Sequence, residues 1–261
     1  MHEETEPVIV AERDRALYIQ LNRPTVGNAL DWATLEGLHR AFTRLNEDER
    51  LWAGVLTAAG DTMFCAGADL KRLPQQVAEK LKQGITPPDT IMHGLRVRKP
   101  LLCALNGDAL GGGLELALAC DMRIAADHVR LALPEARVGL IPAGGATYRL
   151  PQLIGRGHAL RMMLTGEPVS AAEAFDWGLA DRVVPKGDVE EAIDEWIDTI
   201  LRSAPLAVQA IKELVDALPS APATAAMAAE GAAIARIQRT ADAAEGSLAF
   251  RERRAPAWCG R

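Results

Sequence analysis

Two stretches of small residues have the composition of turns that bring backbone N–H groups close to a ligand. Phe64–Leu70 follows one apolar strand pattern, and Asn106–Glu115 follows another and runs into a helix pattern. Small side chains let a ligand approach the backbone, and amides at the start of a helix favour negative charge. Two such turns facing one point would form an oxyanion hole. Either turn alone is better explained as a tight turn that requires positive φ, so the prediction depends on the two together.

Two glutamates accompany these turns. Glu115 lies in the otherwise apolar helix pattern Leu114–Cys120, and Glu135 follows 20 positions later, after a short strand pattern and a proline. A buried charge is costly unless it is paired or used in chemistry. Two carboxylates at one site can hold a water and transfer protons in both directions. The alternative for each residue is structural: Glu115 would pair with an arginine, and Glu135 would cap a helix or form a salt bridge.

Other catalytic signatures are missing from the sequence. It has neither a GxSxG nucleophile elbow nor a GxxxxGK[ST] phosphate loop, and Gly155–Leu160 lacks the third glycine of a dinucleotide fingerprint. The five histidines have no metal-site spacing. The four cysteines, at 65, 103, 120 and 259, are too far apart for a CxxC motif. We therefore expect free thiols, no metal and no cofactor.

The charge balance excludes several kinds of partner. The 261 residues include 29 basic and 35 acidic side chains, giving a net charge of −6, and only 4% are aromatic. This composition disfavours binding to nucleic acid. The acidic segment 1–7 is unlike a secretory signal, and no run approaches the roughly 20 apolar residues of a membrane helix. We expect a cytoplasmic protein that acts on a small molecule away from membranes.

The first half of the chain alternates strand and helix patterns, which is typical of an α/β fold with crossover connections. Asp31 is a candidate cap for a helix with apolar residues on one face. The expected strands are 8–10, 16–21, 51–58, 101–105 and 122–126, and residues 71–98 are expected to form a loop with short helices.

The second half is predicted to be helical. The expected helices are 145–153, 156–165, 170–178, 188–202, 204–217 and 222–246. Ser170 and Glu173 have the spacing of a capping box. We divide the chain into a core of residues 1–200 and a C-terminal helical region of residues 201–261. The alanine-rich segment 222–246 is equally suited to packing on its own core and on another subunit.

Longer motifs resemble the crotonase (enoyl-CoA hydratase/isomerase) superfamily over about residues 8–261. They are Leu21–Pro24 with Asn28–Leu30, Phe64–Asp69, Lys99–Pro100, Asn106–Ala117, Pro134–Leu150, Leu164–Gly166, Gly178–Leu179 and Glu245–Arg254. The segments Ala132–Ala136 and Ala244–Arg261 are similar to carnitinyl-CoA dehydratases. The resemblance implies a spiral of ββα units, followed by C-terminal helices that assemble trimers, often stacked as hexamers.

The resemblance also implies roles for individual residues. The N–H groups of Ala68 and Gly112 match the oxyanion hole, and Glu115 and Glu135 match the paired glutamates of the hydratases. Acyl-CoA binding is implied for Arg23, Ala29, Ala66, Ala68, Asp69, Leu70, Leu110, Gly111, Gly112, Pro134 and Glu135, with Phe250 and Arg253 reaching CoA from a neighbouring subunit. Asp108, in place of the usual aromatic residue, and the segment Ala146–Tyr148 depart from the family pattern near the acyl pocket or its supporting shell.

The expected activity is therefore that of a hydro-lyase: reversible syn addition of water to a 2-enoyl-CoA, as in fatty acid β-oxidation. Coenzyme A would enter as part of the substrate, and no other cofactor is implied. The alternatives are a specialised hydratase or dehydratase of the carnitinyl-CoA type, an enoyl-CoA isomerase or thioester hydrolase, and a non-enzymatic CoA-binding scaffold.

Overall fold

The structure, a computed structural model, describes residues 6–217 and 222–261, so the first five residues of the acidic N-terminal segment lie outside it. Two sheets, ordered β1-β2-β3-β5-β7-β10 and β4-β6-β8-β9, form its centre. Their strands are β1 Val8–Arg13, β2 Ala16–Leu21, β3 Ala53–Ala58, β4 Met63–Cys65, β5 Leu101–Leu105, β6 Asp108–Leu110, β7 Met122–Ala126, β8 Arg130–Ala132, β9 Val169–Ser170 and β10 Arg182–Val184. All pairings are parallel except β1 with β2 and β8 with β9.

Helices connect and cover these sheets. They are α1 Trp32–Glu47, α2 Leu73–Lys82, α3 Gly112–Leu118, α4 Ala146–Thr165, α5 Ala171–Asp176, α6 Val189–Leu201, α7 Pro205–Ala217, α8 Ala223–Ile237 and α9 Ala241–Glu252. Short 3-10 helices occupy Pro24–Val26 and Glu135–Val138. None of the helices in the described ranges is long and apolar enough to cross a membrane. The α/β prediction is confirmed.

The same unit recurs three times along the chain. A strand of the larger sheet is followed by a strand of the smaller sheet and then by a helix, giving β3-β4-α2, β5-β6-α3 and β7-β8-α4. Because β4, β6 and β8 are parallel neighbours, the segments that follow them meet at one edge of the smaller sheet. Those segments are 66–70, 111–113 and 133–135. The spiral of ββα units therefore brings together the regions that the sequence analysis selected.

The core explains why the central strands are so apolar. Every residue of β5 is buried, as expected for a parallel strand covered on both faces. Three of the cysteines, Cys65, Cys103 and Cys120, are buried near this centre, whereas Cys259 is exposed, and all four are free thiols. The expectation of free thiols therefore agrees with the structure.

The helix expected at 222–246 is wrong in its extent. The structure has two helices instead, and the second continues to Glu252. Thr240 separates them because its hydroxyl donates to Ile237 O and accepts from Ala243 N, which makes it the N-cap of α9. Alanine-rich composition concealed this break.

Other sequence predictions differ only in detail. The expected helices 145–153 and 156–165 are joined in α4, which is kinked at Gly155. The boundary at residue 200 falls at the end of α6, and the separate role of residues 201–261 stays a prediction. The last residues return to the start of α9, where buried Asp242 accepts from the N–H groups of Cys259 (2.7 Å) and Gly260 (2.9 Å).

Candidate active site

The two small-residue turns are in direct contact. A Cβ built on Gly67 would lie 2.9 Å from the carbonyl oxygen of Leu110 and 3.0 Å from the nitrogen of Gly112. Gly67 also has a φ of +88°, which disfavours any other residue. Only glycine therefore lets the turn after β4 approach the turn after β6 this closely.

In each turn, one backbone N–H group lies outside the hydrogen bonds of the neighbouring bridge or helix. Leu30 forms a parallel bridge with Ala68 by donating to Gly67 O (2.8 Å) and accepting from Asp69 N (2.8 Å), so the Ala68 N–H faces away from Leu30. Gly112 is the first residue of α3, and N–H groups in a first helical turn have no acceptor within the helix. A Cβ on Gly112 would lie 3.7 Å from Ala68 N. The two predicted oxyanion donors are neighbours.

Glu115 is a buried carboxylate held by the backbone. It lies one turn into α3, and its Oε1 accepts from Ala146 N at 3.1 Å. Burial raises its pKa, while hydrogen bonds from the N–H groups of Ala146 and Gly144 oppose that shift. No ion pair to Glu115 forms within the described residues, so the alternative of an arginine partner is wrong. His93 and Arg149 influence the pKa only through their charge.

Glu135 faces the same region from the 3-10 helix after β8. A Cβ on Gly111 would lie 2.8 Å from Glu135 Oε1, and Oε2 is buried without a hydrogen-bond partner among the described residues. Burial raises the pKa of Glu135, and the charge of Glu115 raises it further. A buried acceptor without a protein partner calls for water or a ligand. The two carboxylates are therefore electrostatically coupled beside the donors.

The loop implied to bind CoA is accessible. Ala66 and Ala68 are exposed, and Leu70 is 58% exposed. Leu110 and Gly111 lie at the turn after β6, where Gly111 N donates to Ala132 O at 2.9 Å, and Pro134 directly precedes Glu135. Their contact with acyl-CoA stays a prediction.

Ala29 is buried instead, and Arg23 is partly buried. Nη1 of Arg23 donates to Ala29 O at 2.5 Å, and Nη2 lies 3.1 Å from Asp31 Oδ2 and 3.4 Å from Asp69 Oδ2. The guanidinium is thus engaged by the protein. At the other end of the chain, Phe250 is 86% exposed and Arg253 is exposed, and their contact with CoA stays a prediction.

The sequence analysis missed the residues that hold Glu115. Gly144 and Ala146 supply its backbone donors, and Arg149 fixes their loop by donating to Gly144 O (3.0 Å) and Ile91 O (3.2 Å). The motif Gly144–Gly145 before a helix pattern was visible, but its partner was not. Because Arg149 binds these loops through their backbone carbonyl groups, no pattern of side chains in the sequence indicates the contact.

The two departures from the family pattern have structural contacts. Asp108 is buried and accepts three hydrogen bonds from Arg130, one from the backbone and two from the guanidinium. It joins β6 to β8. Tyr148 is 53% exposed, and the Arg149 guanidinium lies 4.8 Å from its ring centroid. Among residues 6–217 and 222–261, no three His, Cys, Asp or Glu side chains are grouped to hold a metal ion.

The fold and this site have the features of an enzyme, because paired backbone N–H groups can stabilise negative charge on an oxygen and two nearby carboxylates can transfer protons. The family model described as enoyl-CoA hydratase/isomerase matches residues 12–261. The chain belongs to that family, which confirms the resemblance found in the sequence.

Individual relatives cover nearly the whole chain. A carnitinyl-CoA dehydratase of Proteus mirabilis is 37% identical over 253 residues, 95% of this chain and 97% of the relative. An (E)-benzylidenesuccinyl-CoA hydratase of Thauera aromatica is 34% identical, covering 97% and 99% of the two chains. The crystal structure of an enoyl-CoA hydratase from Bacillus anthracis has a TM-score of 0.90 at 36% identity, covering 98% and 100%. The expected crotonase fold and hydro-lyase class are confirmed.

Proposed function

We propose that this chain catalyses the reversible hydration of a 2-enoyl-CoA thioester. The observation that carries the proposal is the placement of two coupled carboxylates, Glu115 and Glu135, beside the paired N–H groups of Ala68 and Gly112. The relatives that are named hydratases and dehydratases support it. Coenzyme A is part of the substrate, and the reaction uses no other cofactor.

The mechanism follows from where negative charge develops during the reaction. The thioester oxygen accepts hydrogen bonds from the N–H groups of Ala68 and Gly112, which stabilise the enolate; losing one such donor typically costs about 10²–10³ in rate. A water held between Glu115 and Glu135 gives its hydroxyl to Cβ while a proton is delivered to Cα. The C=C π bond breaks as the C–O and C–H bonds form on one face of the substrate. The reverse steps eliminate water. Because the carboxylates are coupled, the pair shares the roles of acid and base.

Assembly and setting form part of the proposal. We place the enzyme in the cytoplasm, in fatty acid β-oxidation, as a trimer or a dimer of trimers. The 86% exposure of Phe250 next to exposed Arg253 supports a subunit contact at the end of α9. In such an assembly these two residues reach the CoA bound to a neighbouring subunit. Neither nucleic acid nor membrane is a partner.

A specialised acyl group is the second candidate. The 37% identity to a carnitinyl-CoA dehydratase favours it, as does the Asp108–Arg130 pair where the family pattern has an aromatic residue. Turnover of crotonobetainyl-CoA well above that of crotonyl-CoA and longer simple enoyl-CoAs would establish this substrate class.

The decisive experiment compares Glu115→Gln and Glu135→Gln with the wild type on a panel of enoyl-CoAs. General acid–base groups typically contribute about 10²–10⁴ in rate, and we expect losses of that size from each variant. Glu195→Gln is a matched control because Glu195 lies on the surface of α6, paired with Arg182. Unchanged hydration in both site variants would refute the assignment. Tight binding of acyl-CoA without turnover of any substrate would instead indicate a binding scaffold.

A further inference from the structure

We propose that Arg23 is a positioning residue that fixes the Ala68 N–H of the oxyanion hole from within the protein. This inference rests on the proposed function, because it assigns Ala68 as an oxyanion donor. It differs from the role implied by the family resemblance, in which Arg23 contacts the substrate.

The guanidinium of Arg23 contacts both of the segments that are paired in one β-bridge. The bridge pairs Leu30 with Ala68 through two backbone hydrogen bonds. On the Leu30 side, the guanidinium binds the residues before and after it, donating to Ala29 O at 2.5 Å and lying 3.1 Å from Asp31 Oδ2. On the Ala68 side, it donates to Oδ2 of the next residue, Asp69, at 3.4 Å. One side chain thus ties together the two segments whose pairing orients the Ala68 N–H.

Each carboxylate in this cluster is also anchored elsewhere. Asp31 Oδ1 caps α1 by accepting from the backbone N–H (3.0 Å) and the hydroxyl (2.7 Å) of Thr34. Asp69 Oδ1 accepts from the N–H groups of Lys71 (3.3 Å) and Arg72 (3.2 Å) in the turn that leads to α2. Arg23 therefore links the start of α1 to the loop of the oxyanion hole. Without it, Asp31 would keep only the more distant Arg72, whose Nη1 lies 3.9 Å from its Oδ2, and Asp69 would have no ion-pair partner among the described residues.

Burial separates this role from direct contact with CoA. The Arg23 side chain is 12% exposed, and those of Asp31 and Asp69 are 7% and 13% exposed. An arginine that binds phosphates needs free donors at the surface, whereas the two terminal nitrogens of Arg23 already face three protein oxygens. Lysine keeps the charge but lacks the planar fork, so it cannot reproduce this set of contacts.

The test is steady-state kinetics of Arg23→Lys and Asp69→Asn, with Arg13→Lys as the control. Arg13 also lies between two carboxylates, Glu190 at 2.7 Å and Asp194 at 3.5 Å, but on β1 and α6, outside the site. Misplacement of a reacting group by about 1 Å costs up to about 10²-fold in rate. We expect kcat to fall about 10- to 100-fold in both Arg23→Lys and Asp69→Asn, with KM and its salt dependence nearly unchanged. Arg13→Lys should keep the wild-type kcat.

A spectroscopic measurement reports on the donors directly. Hydrogen bonds to the carbonyl of a conjugated 3-aryl-2-propenoyl-CoA polarise the chromophore and shift its absorption to longer wavelength on binding. We expect this red shift to be smaller in Arg23→Lys and Asp69→Asn, and to persist in Glu115→Gln. If Arg23→Lys fails to fold, Asp69→Asn carries the same test, since it removes the charge on the Ala68 side of the bridge.

Three outcomes separate the possibilities. An increase in KM that weakens with salt, with kcat and the red shift unchanged, would overturn the proposal and assign Arg23 to CoA phosphates. Wild-type kinetics in both variants would also overturn it. If the wild type itself shows no hydratase activity but binds the chromophore with a red shift that Arg23→Lys reduces, the proposed function fails while the positioning role stands.

Discussion

Gly111 and Glu135 are in direct contact: a Cβ on Gly111 would lie 2.8 Å from Oε1 of Glu135. Gly111 also has φ +53° and ψ −125°, a conformation that residues with a Cβ avoid. Gly111 immediately precedes Gly112, the proposed donor. The same glycine therefore limits the position of Glu135, the proposed catalytic carboxylate, and lies at the start of α3. The backbone geometry of the site is thus as specific as its side chains.

Gly111→Ala should lower kcat by at least 10²-fold, because the new methyl group displaces the carboxylate that shares the catalytic water. The strained backbone should also reduce the free energy of unfolding by about 1–3 kcal/mol. Gly155→Ala is the control: its φ is +74°, but a Cβ there meets open space, so stability should fall while kcat is kept. Equal kcat values for the two variants would contradict the contact described here. Kinetics and urea denaturation measure both effects.

Gly112→Pro should remove one oxyanion donor with little cost to α3. Proline is well tolerated at the first position of a helix, where its missing N–H has no acceptor in any case. We expect kcat/KM to fall about 10²–10³-fold with a nearly unchanged circular dichroism spectrum. Activity near that of the wild type would show that this N–H does not face the thioester oxygen.

The raised pKa of Glu115 predicts how stability changes with pH. Burial makes the folded protein hold this proton to higher pH than the unfolded chain, whose ordinary value is about 4.3. The folded state then binds more protons than the unfolded state, so the wild type loses stability relative to Glu115→Gln as pH rises above about 4.3. Below that pH the difference between the two proteins should be constant.

Glu245 supplies the opposite case as a control. Hydrogen bonds from Arg254 lower the pKa of Glu245 to about 2. The stability that Glu245 contributes is therefore lost as pH falls from about 4.3 toward 2. Urea denaturation of the wild type, Glu115→Gln and Glu245→Gln from pH 3 to 8 measures both trends. A difference between the wild type and Glu115→Gln that stays constant over the whole range from pH 3 to 8 would contradict the shift assigned to burial.

Arg253→Gln should raise KM for acyl-CoA, with a smaller effect at high salt, because the proposed assembly brings Arg253 to the CoA of a neighbouring subunit. Arg254→Gln is a matched neighbour with a different role: Arg254 donates to both carboxylate oxygens of Glu245, at 2.6 and 3.0 Å. It should lower Tm and leave KM nearly unchanged. Sedimentation gives the oligomeric state, and a monomeric wild type would contradict the assembly.

The sequence was sufficient to select Glu115 and both small-residue turns, because each stands out from the residues next to it in the chain. Glu115 is conspicuous as a charge in an apolar helix, and Gly111–Gly113 is conspicuous as a glycine run before it. The α/β class followed from alternating patterns. These features are local, so they need no knowledge of which segments meet.

Features that depend on contacts between distant segments were missed. Strands β4 and β6 have three residues each, too few to show periodicity, yet their pairing brings the two turns together. The contact of Arg23 with Asp69 spans 46 positions, and that of Arg149 with Ile91 spans 58. Nothing in the sequence indicates that the Arg23 guanidinium contacts Ala29, Asp31 and Asp69. The break at Thr240 was hidden for a different reason, because its cap is energetically small compared with the helix preference of the surrounding alanines.

Because three cysteines are buried and one is exposed, their rates of reaction with a thiol reagent measure how often the core opens. Burial raises the pKa of Cys65 to about 12, so its reactive thiolate is nearly absent in the native protein at neutral pH. Cys103 and Cys120 are similarly enclosed, while Cys259 is open to solvent. A thiol reagent should therefore modify one cysteine at once and the other three only as the structure opens. Since Cys65 directly precedes the loop of Ala68, its slow labelling rate would report how often that loop and the end of β4 open.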